Sequence, residues 1–86
     1  MTEGERRPRI HYLKILPEYY SEVALHNKRF ELRRDDRDYR VGDLIYLQEW
    51  KNGSYTGRET GAYRIKYILR NCPEYGLKEG YCILSW

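Results

Sequence analysis

The constraint that most limits the fold of this chain is its single short stretch of helical periodicity, set among segments that alternate like strands. Pro17 suits the first turn of a helix, where its missing N–H group would have no partner in any case. Apolar residues then recur at the spacing of one helix face: Tyr19, Tyr20, Val23 and Ala24. The sequence therefore predicts one helix over residues 17–26, with Asn27 as a left-handed residue at its end.

Five further segments predict strands, because apolar and polar residues alternate along them between turn-forming residues. They are residues 9–16, 28–34, 44–50, 58–70 and 81–86. The first has apolar residues on both faces, which is typical of a central strand. In the second, the alternation predicts that Phe30 and Leu32 face the core and that Glu31 faces away from it.

The length of 86 residues limits the chain to one domain with a small core. We expect a polar, flexible N-terminal tail over residues 1–8 and a single domain over residues 9–86. Asn52-Gly53 is a strong hairpin signal, and residues 52–57 form a predicted loop. Short strands leave exposed edges unless they close on themselves. The expected fold is therefore α+β, a small mixed β-barrel of about five to six strands with one main helix near the N-terminus.

Several kinds of protein and site are not expected. No apolar run approaches the roughly 18 residues of a membrane span, and the charged N-terminal segment lacks the apolar stretch of a secretory signal. We therefore expect a cytoplasmic protein without membrane contact. Cys72 and Cys82 stand outside any zinc or redox motif and are expected to be reduced thiols. Asp35 and Asp36 lie among four arginines that neutralise them, so no metal is expected, and no cofactor is predicted.

The composition is more informative than the net charge of +3, which many folded domains carry. Eleven of the 16 basic residues are arginine, and ten of the 13 aromatic residues are tyrosine. Arginine pairs with phosphate or carboxylate, and tyrosine offers a flat face for stacking. Both are common where proteins bind nucleic acids or nucleotides. Tyrosine is also a good strand former, so the composition leaves a structural role open.

The first candidate site lies at the predicted junction of the helix and the second strand. Here Lys28, Glu31 and Arg33 stand close together, with Arg37 soon after. A lysine whose charge is disfavoured by burial or by a neighbouring cation can act as a base or nucleophile. A glutamate beside it can carry a proton. The alternative is an exposed ladder of charges along a strand, which contributes little energy.

The second candidate site follows the predicted hairpin, with His11 as an isolated third candidate. The hairpin residues are Trp50, Tyr55, Thr56 and Arg58. Glycines on both sides of the Ser54–Thr56 segment would let backbone N–H groups and hydroxyls face an anion, with Arg58 supplying charge. An ordinary hairpin tip is the alternative. His11 and Lys14 fall on opposite faces of their strand, and a buried structural role for His11 is equally consistent with the pattern.

The order of these residues resembles the ASCH (activating signal cointegrator homology) domain of the PUA-like superfamily. The motif Asn27-Lys28-x-x-Glu31-x-Arg33 and a later Gly42-Asp43 before a strand carry this resemblance. The chain looks most like a small bacterial and phage branch with no assigned function. Shared features of that branch are His11-x-Leu13-Lys14, Gln48-Glu49, Tyr55-Thr56-Gly57-Arg58 and the segment from Pro73 to Tyr81. The resemblance covers about residues 10–86.

The resemblance implies a PUA-like β-barrel with a cleft beside the first helix, which ASCH domains are proposed to use for RNA. Some relatives resemble enzymes. In a small amidohydrolase acting on N4-acetylcytidine, the catalytic lysine corresponds to Lys28 and the catalytic threonine to Glu31. The catalytic glutamate of that enzyme lies in an insertion that this shorter chain lacks. Other relatives are ribonucleases in which the lysine and nearby arginines contribute.

Three functions follow as hypotheses. The first is a module that binds RNA or a modified nucleotide, and its candidate residues are Lys14, Lys28, Glu31, Arg33, Arg37, Trp50, Tyr55, Thr56 and Arg58. The cations would meet phosphate, Trp50 or Tyr55 would stack on a base, and Glu31 would accept from a base edge. The second is a hydrolase of RNA or a nucleoside, with Lys28 as nucleophile or base, Glu31 as proton carrier and Arg33 or Arg58 as anion stabiliser. The third is a protein-interaction module, such as a phage-encoded modulator of a host protein. We expect a monomer or a weak dimer.

Overall fold

The computed structural model describes residues 6–86, which adopt an α+β architecture. Within this range the chain forms six strands, one α-helix and a 3-10 turn over Pro73–Tyr75. In chain order the elements are β1 (Ile10–Ile15), α1 (Pro17–Ala24), β2 (Phe30–Arg34), β3 (Leu44–Lys51), β4 (Ser54–Arg64), β5 (Tyr67–Leu69) and β6 (Tyr81–Ser85). Most of the predicted flexible tail lies outside the described residues, so that tail stays a prediction.

The six strands form two three-stranded sheets. In the first sheet, β3 lies between β1 and β4, parallel to β1 and antiparallel to β4. In the second sheet, β6 lies between β2 and β5, and both pairs are antiparallel. Neither sheet closes on itself within residues 6–86. The expected number of strands is confirmed, but the expectation of a closed barrel is wrong.

The two sheets are joined on one side and open on the other. Where β4 leads into β5, the Ile65 N–H group and carbonyl bond to the backbone of Asp43 and Gly42, just before β3. The next N–H group, that of Lys66, bonds to the Ser85 carbonyl in β6. On the opposite side, β1 and β2 are both edge strands and do not pair with each other. At this junction no backbone hydrogen bonds join the two sheets as a closed barrel would require.

Strand β1 is an edge strand, whereas its two apolar faces predicted a central strand. Its burial alternates as expected, with His11, Leu13 and Ile15 in the core and the intervening side chains exposed. Tyr12 is among the exposed ones and stacks on Tyr46 of β3, with ring centroids 5.3 Å apart. Tyr12, on the outer face of β1, therefore packs against its neighbour in the same sheet, and no further layer of secondary structure covers this face.

Helix α1 ends two residues earlier than predicted and buries a narrower stripe. Of the four apolar residues, two are buried and two exposed: Tyr20 and Val23 inside, Tyr19 and Ala24 outside. The helix ends in a Schellman motif, in which the His26 N–H group bonds to the Val23 carbonyl and the Asn27 N–H group to the Glu22 carbonyl. The left-handed residue is thus His26, with φ of 62°, and not Asn27.

Strand β2 turns the opposite face to the core from the one predicted. Glu31 is only 5% exposed, whereas Phe30 and Leu32 lie on the outer surface. The core accepts the carboxylate because Lys28 and Arg33 both form ion pairs with it. Alternation identifies two faces of a strand but does not say which of them is covered, so the pattern alone could not decide this.

The β3–β4 hairpin turns at Asn52-Gly53 as predicted, with positive φ at both residues, 51° and 83°. The predicted loop over residues 52–57 is wrong, because β4 already begins at Ser54. The segment is a strand because it pairs with β3, although its glycine, serine and threonine residues are typical of loops.

The predicted strand over residues 58–70 is in fact two strands in different sheets. Ile65 is fully buried at the crossing point, where the chain leaves β4 for β5. Up to Ile65 the inward-facing residues have odd numbers. Beyond it Ile68 packs on the core, and the odd-numbered Tyr67 and Leu69 face outward. The change of sheet therefore resets the alternation.

The buried apolar side chains form one cluster, to which both sheets and α1 contribute. They are Leu13, Ile15, Tyr20, Val23, Tyr39, Ile45, Leu47, Ile65, Cys82 and Leu84. At the edge of this cluster lies His11, whose ring centroid is 4.7 Å from that of Tyr39. His11 is therefore buried, as the structural alternative in the sequence analysis predicted.

Asp43 is a buried polar centre that ties the chain before β1 to the turn before β3. It is 1% exposed and accepts hydrogen bonds from the N–H groups of Arg9 and Arg40, at 3.0 and 3.1 Å. The His11 Nε2 atom and the Arg6 guanidinium also contact it, at 2.8 and 3.2 Å. Burial acts to raise the pKa of this carboxyl, but the hydrogen bonds outweigh burial and hold the pKa below its ordinary value of 3.8.

Asp43→Asn should lower the free energy of unfolding by about 2–4 kcal/mol at neutral pH, because an amide N–H₂ group would face donors inside a buried network. Since the folded-state pKa is depressed, the carboxylate's contribution is fully present above the unfolded value near 3.8 and is lost as the pH falls below it. Urea denaturation of both proteins from about pH 3 to about pH 7 measures the difference.

Asp38→Asn is the matched control for this experiment. Asp38 is half exposed and pairs with Arg9 and Arg40 at the surface, at 3.7 and 3.4 Å. Its substitution should change stability by about 0.5 kcal/mol or less. An Asp43→Asn protein as stable as the wild type, or a difference that does not shrink in acid, would contradict the assigned role.

Candidate functional site

A cleft of about 430 Å³ lies between β1 and β2, beside the start of α1. Its lining residues are Lys14, Ile15, Leu16, Tyr19, Lys28, Phe30, Glu31, Leu32 and Arg33. Four of these were candidate site residues from the sequence: Lys14, Lys28, Glu31 and Arg33. The cleft occupies the junction where β1 and β2 fail to pair.

Two arginines from β2 and the turn after it bind the open edge of β1. The Arg33 Nη1 group donates to the Lys14 carbonyl at 2.8 Å, and the Arg37 Nη1 group donates to the Tyr12 carbonyl at 2.9 Å. A neighbouring strand would normally take such edge carbonyls. The guanidinium groups satisfy them while keeping β1 and β2 apart, and this separation leaves room for the cleft.

A group of paired charges forms the floor of the cleft. The Lys28 ammonium donates to Glu31 Oε1 and to the Phe30 carbonyl, the latter at 2.6 Å. Arg33 Nη1 lies 3.5 Å from the other oxygen of Glu31. The same ammonium lies 4.8 Å from the Phe30 ring centre and 5.7 Å from that of Tyr19. The cation is therefore held by a carboxylate, a carbonyl and two aromatic rings.

The cleft is positively charged overall. Three cations line it (Lys14, Lys28 and Arg33) against one carboxylate (Glu31), and three minus one leaves a net charge of +2. The rest of the wall is apolar or aromatic, contributed mainly by Leu16, Tyr19, Phe30 and Leu32. Pockets of this kind combine a few convergent polar groups with apolar walls, and this one suits an anion that also carries a flat or apolar part.

Trp50 and Tyr55 lie outside the cleft, on the outer face of the first sheet. Pairing of β3 with β4 sets them opposite each other, with ring centroids 4.8 Å apart and planes nearly perpendicular. Lys14 connects them to the cleft, since it lines the cleft and its Nζ atom lies 3.9 Å from the Trp50 ring centre. The distance from the same atom to the Tyr55 ring centre is 5.8 Å.

Thr56 and Arg58 surround a different carboxylate, that of buried Glu49. The Thr56 hydroxyl donates to Glu49 Oε1 at 2.7 Å, and Arg58 Nη1 lies 3.7 Å from Oε2. Neither residue lines the cleft. Of the four residues that the hydrolase hypothesis names, Lys28, Glu31 and Arg33 therefore share a site and Arg58 lies apart from it.

Sequence reasoning missed the aromatic wall of the cleft. Tyr19 was assigned to the buried stripe of α1 and Phe30 to the core, yet both are about half exposed and flank Lys28. It also missed the buried carboxylates of Asp43 and Glu49. The one signal available for a buried charge was at Glu31, where Lys28 and Arg33 stand three residues before and two residues after.

Comparison with known proteins places the chain among sequences without an assigned role. Residues 10–86 match the family described as a domain of unknown function, DUF3850. The "Uncharacterized 12.9 kDa protein in GpA 3'region" of Escherichia phage P2 is 41% identical over 54 residues, which are 63% of this chain and 50% of the relative. The chain spans about half the length of that relative. This agrees with the expected small bacterial and phage family.

The described residues hold no cluster of histidine, cysteine or acidic side chains suited to a metal ion. They also contain no helix long and apolar enough to cross a membrane. Cys72 and Cys82 are free thiols, and Cys82 is fully buried. Burial, together with the Asp35 carboxylate, raises the pKa of the Cys82 thiol to about 11. Cys82 is therefore a core residue without thiolate chemistry near neutral pH.

In the native protein, one thiol should react with a chromogenic aromatic disulfide near pH 8, and two should react after denaturation. The reactive one is partly exposed Cys72. Cys82 is inaccessible, and with a pKa of about 11 only about one part in a thousand is thiolate at that pH. Cys72→Ser should abolish the native reaction, which identifies the thiol. Equal rates for both thiols in the folded protein would contradict this.

Proposed function

We propose that this protein, which belongs to the DUF3850 family of domains of unknown function, binds RNA or a nucleotide in the cleft between β1 and β2, in the cytoplasm. The observation that carries the proposal is the make-up of the cleft, which three cations and one buried carboxylate line beside aromatic rings. A nucleotide combines an anionic phosphate with a flat base, and each of these parts has a counterpart in the cleft.

The phosphate would bind at Lys28 and Arg33. A lysine ammonium has three N–H donors, and its contacts with Glu31 and Phe30 use two of them. An arginine has five N–H donors, and the contacts of Arg33 with β1, Glu31 and the Tyr39 hydroxyl leave some of them unused. Donor capacity therefore remains at both cations after their structural contacts are made. Charge-assisted hydrogen bonds to phosphate are among the strongest that proteins form.

The base would lie between the exposed rings of Tyr19 and Phe30. Both rings border the Lys28 ammonium, so a base stacked on either stays close to the phosphate site. Glu31 presents carboxylate oxygens to the cleft and can accept hydrogen bonds from base amino or imino groups. The carboxylate would then contribute selectivity for the base, and the cations would hold the phosphate.

The resemblance to ASCH domains supports the same ligand class. Its motif residues Lys28, Glu31 and Arg33 are the ones that meet in this cleft. We propose that the family is a branch of the PUA-like superfamily, in which the two sheets correspond to a barrel opened between β1 and β2. The position of the cleft beside the first helix supports this proposal, because the resemblance implies a cleft at that place.

Lys28→Met should weaken the binding of ribonucleoside 5′-monophosphates at least about tenfold, since a charge-assisted hydrogen bond contributes about 1.5–3 kcal/mol. Titration at low salt, followed by amide chemical shifts in NMR spectra, measures the affinity and maps the site. The first shifts to move should be those of the cleft-lining residues, and the affinity should fall as salt is added.

Lys66→Met removes an exposed lysine outside the cleft and is the matched control, with an expected change of about twofold or less. Because Lys28→Met also leaves Glu31 with one ion-pair partner, its thermal unfolding must be compared with the wild type. Lys14→Met is a second variant that spares this pair. Absence of binding at low salt, or equal losses in Lys28→Met, Lys14→Met and Lys66→Met, would overturn the proposal.

The hydrolase hypothesis has less support from the same geometry. The Lys28 nitrogen already contacts Glu31 and the Phe30 carbonyl, so these contacts would have to break before it could attack a substrate. Of the two candidate anion stabilisers, Arg33 lines the cleft and Arg58 lies outside it. Binding therefore remains the better-supported function.

A protein partner is a second candidate, favoured by the outer face of the second sheet. Four apolar side chains stand exposed there on both sides of β6: Phe30, Leu32, Tyr67 and Leu69. Exposed apolar patches commonly mark interaction surfaces. At one end of the face, Arg34 and Lys78 each lie 5.6 Å from the Tyr81 ring centre. We propose as partner an amphipathic helical segment with leucines on one face and carboxylates beside them.

A synthetic helical peptide of that pattern should shift the amide signals of β2, β5 and β6 in NMR titrations. The same peptide with lysines in place of its glutamates should bind at least about fivefold more weakly, because Arg34 and Lys78 would then repel it. Leu69→Ser should reduce binding of the acidic peptide. Equal binding of the two peptides, or shifts confined to the first sheet, would rule out this partner.

A further inference from the structure

The outer face of the first sheet carries four aromatic side chains in two pairs. Tyr12 and Tyr46 stack with ring planes 16° apart, and Trp50 and Tyr55 meet edge to face. Tyr12 is 50% and Tyr55 52% exposed. Cross-strand aromatic pairs contribute about 0.2–1 kcal/mol to a sheet, and about half of each of these two rings stays open to solvent, where a flat ligand can reach it.

The geometry of the pairs leaves stacking surfaces open. Tyr12 lies on edge strand β1, so the side of its ring away from Tyr46 has no neighbouring strand to cover it. Tyr55 stands nearly perpendicular to Trp50, so one of its faces is also directed away from its partner. A planar ligand can therefore add to each pair by stacking, without any change in the sheet.

Lys14 makes this face continuous with the cleft. It follows Tyr12 by two residues on the same face of β1, it lines the cleft, and its ammonium lies over Trp50. Arg37 bonds to the Tyr12 carbonyl at the same edge and adds a second cation along it. The strand register places one carboxylate, that of Glu59, on β4 across from Lys14. Gln48 lies between them and donates a hydrogen bond to this carboxylate at 3.0 Å.

We infer that the ligand of the cleft is a nucleotide within a single-stranded nucleic acid, and that the neighbouring bases stack on Tyr12 and on the Trp50–Tyr55 pair. This inference rests on the proposed function of the cleft and extends it to a class of polymer. Sequence-tolerant binding of single strands combines aromatic stacking with a path of cations along the backbone, and both components are present on this face.

The dimensions of the face support a short strand. Tyr46 and Trp50 are four residues apart on β3, which is about 13 Å at the usual rise of a strand. Four-stranded RNA-binding sheets stack two or three bases on their aromatic side chains. A duplex has its bases already stacked and paired, so it cannot offer them to the rings. The ligand is therefore single-stranded, with about two bases on the sheet and one in the cleft.

The experiment compares a fluorescein-labelled octanucleotide with the corresponding dinucleotide by fluorescence anisotropy at low salt, for RNA, DNA and an RNA duplex. Tyr12→Leu and Tyr55→Leu keep apolar bulk but remove the ring. Each should weaken octanucleotide binding about fivefold to 150-fold, the range measured for one stacked base. A dinucleotide places one base in the cleft and at most one on the sheet, so only one of the two substitutions should weaken its binding by more than about twofold. Tyr67→Leu is the matched control, because Tyr67 is 61% exposed on the other sheet.

The outcomes separate this inference from the function of the cleft. An octanucleotide that binds no tighter than the dinucleotide, or equally in Tyr12→Leu, Tyr55→Leu and wild type, overturns the inference while the cleft still binds its nucleotide. Duplex binding as tight as single-strand binding also overturns it. If neither oligonucleotide binds, and if Lys28→Met leaves the affinity for ribonucleoside 5′-monophosphates unchanged, both the inference and the proposed function fail. A preference between RNA and DNA identifies which single strand is the ligand.

Discussion

The guanidinium groups of Arg33 and Arg37 bind the free edge of β1, on the side where β1 and β2 do not pair. Each of them donates a hydrogen bond to one carbonyl of β1. Side chains therefore bind this edge, and no neighbouring strand pairs with it. The two sheets remain joined through Ile65 and Lys66 on the far side. The cleft exists because of this asymmetry, since pairing of β1 with β2 would remove the free edge and the site together.

Arg33 also links the fold to the chemistry of the cleft. Arg33 bonds to β1 and, together with Lys28, compensates Glu31, whose burial would otherwise carry a large desolvation cost. This compensation explains why β2 turns its charged face inward and its apolar Phe30 and Leu32 outward. Binding at the cleft and stability of the second sheet therefore depend on shared residues, and substitutions there must be assessed for both.

Local signals in the sequence predicted the local parts of the fold. Pro17 marks the start of α1 and Asn52-Gly53 marks the hairpin, because each acts through its own backbone preferences. Lys28, Glu31 and Arg33 could be grouped because a helix end and a strand hold them within six residues. The position of β1 at an edge and the inward face of β2 depend on long-range pairing, and the start of β4 at Ser54 depends on pairing with β3 across the hairpin; alternation encodes neither. For the same reason, Thr56 and Arg58 were expected near the cleft but lie beside Glu49.

The small net charge limits how this chain could hold a nucleic acid. Each phosphate neutralised on a single strand adds about 0.7 to the slope of binding against salt, and a cleft of net charge +2 supports few such contacts. Affinity would then depend more on stacking, at about 1–3 kcal/mol per base, than on counterion release. The composition agrees with that balance, because the chain has ten tyrosines and a net charge of only +3. Exposed rings such as Tyr12 and Tyr55, and not a dense basic patch, are therefore the feature by which a single strand would recognise this protein.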